Sequence, residues 1–108
     1  MDTDTTRPTG NPRKMQLFEE RGPTSRFVYA EITDAGDLLI SGQDVGDAPE
    51  KMYGDSDYEW WVYVKAKDKD WVLLALIEAV FGGRFHAADE FREWLKATGI
   101  PYEFDNYR

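Results

Sequence analysis

The 108-residue chain reads as an α+β fold: an antiparallel sheet of about four strands in meander order, with two C-terminal helices packed on one face. Three observations predict this. The N-terminal half carries short runs of alternating, β-branched and aromatic residues, separated by compact turn signals, as consecutive strands require. The C-terminal half carries two runs with helical spacing, each closed by glycine. With 42% hydrophobic and 15% aromatic residues, a chain of one-domain length has enough apolar side chains to build a core.

Residues 1–13 contain Thr, Asp, Gly, Asn and two prolines but no apolar residue after Met1, the composition of a disordered tail. The remainder, 14–108, is expected to form a single α+β domain. From Met15 the pattern alternates, with Met15, Leu17 and Glu19 set against Gln16, Phe18 and Glu20, which marks a first strand. Arg21-Gly22-Pro23-Thr24-Ser25 is a turn, and Arg26 to Ile32 is rich in strand formers. Asp34-Ala35-Gly36-Asp37 turns the chain into a third short run, Leu38 to Ser41.

Gly42 to Asp57 is weakly patterned, although Ala48 to Tyr53 suits a helical turn with Asp47 as N-cap and Pro49 early. Tyr58 to Ala66 is the clearest strand. Asp68 or Asp70 then caps a helix to about Phe81, ended by Gly82-Gly83, with Val72, Leu73, Leu76, Ile77 and Val80 as its core-facing stripe. Trp71 and Leu74 fall beside that stripe, so more than the sheet should cover this helix. A last helix spans about Ala87 to Thr98, acidic in its first turn and carrying Lys96 in its last. Its expected buried face is Ala88, Phe91, Trp94 and Leu95; Gly99 stops it, and Tyr102 to Asp105 alternates like a short edge strand.

Composition excludes several classes of function. Zero cysteines remove disulfide scaffolds and thiol chemistry, and with a single histidine they remove the usual zinc sites. No apolar run approaches the roughly 20 residues of a membrane span, and no secretory leader follows the first charges, so the expected location is the cytoplasm. A net charge of −8 argues against nucleic acid or an anionic membrane as a direct partner. That charge is concentrated: residues 31–59 hold nine acids against Lys51 alone, which accounts for all of it.

No catalytic, cofactor-binding or metal-ligating set emerges. Asp55, Asp57 and Glu59 alternate into the fourth strand, where extended backbone would aim three carboxylates to one side. A helix-loop-helix calcium site would need glycine at its sixth position and glutamate at its twelfth. Counting from Asp55 gives Trp60 and Ala66; counting from Asp44 gives Pro49 and Asp55. The pairs Asp34/Asp37 and Asp44/Asp47 flank turn glycines, where Asp serves conformation more often than acid–base chemistry. His86 stands beside a helix start, no serine has a nucleophile-elbow context, and Gly82-Gly83-Arg84 follows a helix C-terminus, where the dipole repels anions.

The second face of the sheet is more informative. Two helices cover one side, for which Tyr58, Trp60, Val62 and Val64 with Val28, Ala30 and Ile32 are suited. The opposite side would then carry Phe27, Tyr29, Trp61 and Tyr63, rimmed by Glu31 and Glu59 and continued by Asp55 and Asp57. Tyr102, Phe104 and Tyr107, or the N-terminal tail, are the alternative cover for it.

Leu38 to Gly46, Tyr58 to Val64 and Phe91 to Phe104, taken together, resemble short bacterial proteins of unknown function that combine an acidic strand-loop-strand half with a helical end. The resemblance covers about Met15 to Phe104 and implies a shared fold, with no activity attached.

These readings point to a small, acidic, non-enzymatic interaction protein of adaptor, inhibitor or immunity type, binding a basic protein through its acidic and aromatic surface. Two alternatives remain open. One is a structural homo-oligomer, in the simplest case a homodimer, joined through the aromatic sheet face. The other is a small metal-dependent enzyme using the acids near Asp55.

Overall fold

The computed structural model describes residues 13–107. Four strands, β1 (Lys14–Glu20), β2 (Thr24–Ile32), β3 (Leu38–Gly46) and β4 (Asp57–Val64), form one antiparallel sheet in the order β1-β2-β3-β4. Helix α1 (Asp47–Tyr53) lies between β3 and β4, and α2 (Lys69–Phe81) and α3 (Ala87–Thr98) follow the sheet. The α+β class, the meander and the pair of C-terminal helices agree with the sequence reading.

The described residues fall into two compact units, 13–72 with the sheet and 73–107 with most of α2 and all of α3. The expected tail lies outside the described residues except for Arg13. The Arg13 carbonyl accepts the Ile32 N–H at 2.6 Å and its guanidinium pairs with Asp34 at 3.3 Å, so this residue opens the β1–β2 ladder.

In the sheet unit the ladder places Val28, Ala30, Ile32, Ile40, Trp60, Val62 and Val64 on one face, and Phe27, Tyr29, Glu31, Leu39, Trp61 and Tyr63 on the other. A bulge between Gln16 and Phe18 breaks the simple alternation of β1. Met15 pairs with Ala30 and Phe18 with Val28, so Met15 and Phe18 share a face that strict period-2 counting separates. Among the described residues the buried apolar side chains are Leu39, 7% exposed, and Pro49 of α1.

Strand β3 runs on through Gly46 instead of ending at Ser41, because Gly42 to Val45 hydrogen-bonds between β2 and β4. Gly42 is required there: a Cβ would collide with the Trp60 indole lying across it. Gly46, at φ 128°, turns the strand into α1, and a Cβ at this position would strike the Pro23 carbonyl. The residue before α1 is therefore Gly46, not Asp47, and the Ala48 N–H is satisfied by Thr24 Oγ1 at 2.8 Å. Beyond β4, which stops at Val64, a 3₁₀ turn (Ala66–Asp68) is pinned to the β2–β3 turn. Asp37 Oδ1 accepts the Ala66 N–H at 2.8 Å, and Lys69 Nζ donates to the Gly36 carbonyl at 2.7 Å.

In the helical unit, Phe81 meets Phe91 edge-on at 5.6 Å and Trp94 at 6.4 Å, tying the end of α2 to α3. Phe91 and Leu95 are half-buried as expected, whereas Ala88 is exposed and Trp94 is 44% exposed. Gly99 in the left-handed region (φ 73°) closes α3, and Tyr102 to Asp105 forms no strand; Phe104 instead receives the Arg92 guanidinium at 4.0 Å. In α2 itself Leu73, Leu76 and Val80 are all more than half exposed.

Candidate functional site

Register brings seven of the eight predicted surface residues to one sheet face. Phe27, Gln43 and Glu59 form one row across β2, β3 and β4; Tyr29, Ser41 and Trp61 form the next; Glu31, Leu39 and Tyr63 form the third. Asp57 precedes Glu59 on the same face. Trp61 is 54% exposed and Tyr63 57%, while Phe27 and Tyr29 are half-buried. A cation lies over each of those two inner rings, Arg21 at 5.1 Å from Phe27 and Lys14 at 4.9 Å from Tyr29.

Asp55 departs from the expected row. It precedes β4, and its Oδ1 accepts the Asp57 N–H at 3.0 Å, so it shapes the turn into the strand. Asp57 accepts a hydrogen bond from Gln43 Nε2 at 2.9 Å. Two carboxylates, Asp57 and Glu59, thus continue the aromatic face, without the third at strand spacing. Among the described residues no three His, Cys, Asp or Glu side chains converge as they would around a metal ion. Of the four acids weighed for general acid–base work, three are engaged in structure: Asp34 with Arg13, Asp37 with Lys65 and the Ala66 N–H, and Asp44 with Arg26. Tyr107 is 98% exposed.

The opposite face holds a site that sequence reasoning missed. Arg26 stands directly across from Asp44 in the β2–β3 ladder, and its Nε and Nη2 each donate to one carboxylate oxygen at 2.7 Å. Asp44 is the one buried charged residue described, 8% exposed, which the two-pronged pairing makes tolerable. Hydrogen bonding to Arg26 holds the Asp44 carboxyl below its ordinary value, against the opposing effect of desolvation, and raises the guanidinium correspondingly.

The same guanidinium lies 5.3 Å over the Trp60 ring, Trp60 stacks on Tyr58 at 5.7 Å, and Tyr58 stacks on Tyr53 of α1 at 4.5 Å. Pro49 and Met52 complete the wall of an open cleft of about 570 Å³. Its floor is charged but internally neutralised, and its walls are aromatic. It is suited to holding a flat apolar group and offers no nucleophile. The only sequence signal for it was Gly42 two residues before Asp44, and reading that signal needs the register that sets Trp60 beside Gly42.

No described helix is long and apolar enough to cross a membrane. Compared with family models, with curated proteins and with solved structures, the chain matches none of them.

Proposed function

We propose that this chain is a non-enzymatic interaction protein that docks a basic protein partner on the β2–β4 face. The observation that carries the reading is the joint placement of exposed Trp61 and Tyr63 with Asp57 and Glu59 on one side of one strand. Rigid aromatic side chains supply contact area at low entropic cost, and charge on the same face favours encounters with the opposite sign. The same face also holds Glu31, in the row with Leu39 and Tyr63.

A short oligo-arginine peptide is the probe. It should bind at low ionic strength and be released by salt, with weaker binding to Trp61→Ala. The triple change Asp55→Asn, Asp57→Asn, Glu59→Gln should slow association and flatten its salt dependence. No binding at low salt, or equal association rates for parent and triple variant, rejects a basic partner at this face. A rise in melting temperature of the parent with calcium or magnesium, absent from the triple variant, would favour the metal-dependent reading instead.

A further inference from the structure

Strand β4 ends the sheet, so half of its backbone groups point away from β3. The Gly46 N–H donates to the Ser56 carbonyl at 2.8 Å, and β4 pairs with β3 without a register shift, so Tyr58, Trp60, Val62 and Val64 bond β3. Asp57, Glu59, Trp61 and Tyr63 therefore turn their N–H and C=O groups outward. The Asp57 N–H agrees, since it bonds the Asp55 carboxylate at 3.0 Å and not β3. Among the described residues the N–H groups of Glu59, Trp61 and Tyr63 meet no acceptor. The other edge of the sheet is blunted, because β1 carries a bulge between Gln16 and Phe18, whereas β4 is unbroken over its eight residues. The four residues whose backbone faces outward are also those that carry acidic and aromatic side chains on the β2–β4 face.

We propose that an extended basic segment of the partner adds to β4 as a fifth, antiparallel strand. The inference rests on the reading of the β2–β4 face given above and names the way the partner binds there. Helices use their backbone groups internally, so extended chain is what completes the outward row. Charge selects the kind of chain. Strand β4 holds Asp57 and Glu59 and no base, and Lys65 beyond it is drawn to Asp37 at 3.6 Å. A second copy would bring the same acids to the junction, where like charges opposite one another oppose pairing. In an antiparallel pair the outward-bonding residues of β4 face the partner's own bonding residues, whose side chains lie on the Asp57–Tyr63 face. Those positions call for Arg or Lys, against the carboxylates of Asp57 and Glu59 and over the rings of Trp61 and Tyr63. The alternate positions, beside Tyr58, Trp60 and Val62, call for β-branched apolar residues. The segment is a strand of alternating basic and apolar residues.

The probe is a peptide of alternating arginine and valine, blocked at both ends, matched to the eight residues of β4 and titrated against the full chain by tryptophan fluorescence. Methylating its arginine amides removes the hydrogens aimed at β4 and should weaken binding about tenfold or more. Methylating the valine amides, which point to water, should change it less than about twofold. In the free chain the amides of Glu59, Trp61 and Tyr63 should exchange faster than those of Tyr58, Trp60 and Val62, and peptide binding should slow those three. The protein itself is unaltered in these comparisons, so misfolding cannot imitate the result. Equal effects of the two methylations, or protection of the three amides in the free chain, overturn strand addition. A stronger loss from the valine amides overturns the antiparallel pairing. If oligo-arginine binds while the two methylated peptides behave alike, docking at the face stands and strand addition is refuted. If no basic peptide binds at low salt, both are refuted.

Discussion

Replacing Gly42 with alanine asks whether the Trp60 indole is held against bare backbone, as the central strand arrangement requires. An alanine Cβ would overlap Cζ2 and Cε2 of that ring and lie 2.8 Å from Cη2, so the ring must move. Its exits are restricted, with Tyr58 stacked at 5.7 Å on one side and the Arg26 guanidinium 5.3 Å over its face. Forcing extra volume into such a contact costs about 1–3 kcal/mol. The reduced freedom of the unfolded chain returns about 0.4–1 kcal/mol at a position without positive φ. The net expectation is a loss of about 1–2 kcal/mol, or roughly 5–15 °C in melting temperature for a domain of this size. Thermal melts followed by circular dichroism and tryptophan fluorescence read it directly. The decisive control is the Trp60→Val background, where the clash is gone and Gly42→Ala should be neutral or mildly stabilising. Equal cost in both backgrounds would refute the account of Gly42, and with it the placement of Trp60 beneath the cleft.

Three further outcomes are expected. Thr24→Val removes the acceptor for the Ala48 N–H and should cost about 1 kcal/mol, read as faster amide exchange confined to α1. The folded pKa of Asp44 is depressed, so the stability it contributes is present above the ordinary carboxyl value of 3.8 and is lost as pH falls through the lower folded value. Melting the parent and Asp44→Asn from neutral pH to about pH 2 should show the variant less stable at neutrality and less sensitive to acid. Trp60→Ala should cost about 3 kcal/mol in the same melts, whereas Trp61→Ala, whose side chain is 54% exposed, should cost less than about 1 kcal/mol; equal losses would show the two tryptophans to be packed alike.

What was legible in this chain was legible because its causes are local. Turn chemistry at Gly22-Pro23 and Asp34 to Asp37 separated the first three strands, and the first-turn acids and Gly99 bounded α3 at Ala87 and Thr98. Alternation along β4 assigned Trp60 and Trp61 to opposite faces, and with β2 it assembled most of the acidic and aromatic surface. Asp55 escaped that reading because its carboxylate bonds the backbone two residues on, a turn that precedes the strand. The rest depended on which strand lies opposite which. The bulge at Leu17 returned Phe18 to the face of Met15, since an inserted residue is decided by the partner ladder and not by the strand's own pattern. Gly42 to Gly46 carries little strand propensity, but it became strand because two neighbouring ladders needed its backbone groups. The same register set Arg26 against Asp44, eighteen residues away, and drew Tyr53, Tyr58 and Trp60 around them. Periodicity records how apolar a helix is; whether α2 is buried depends on what lies against it, and that is a property of tertiary and quaternary contacts, not of sequence spacing.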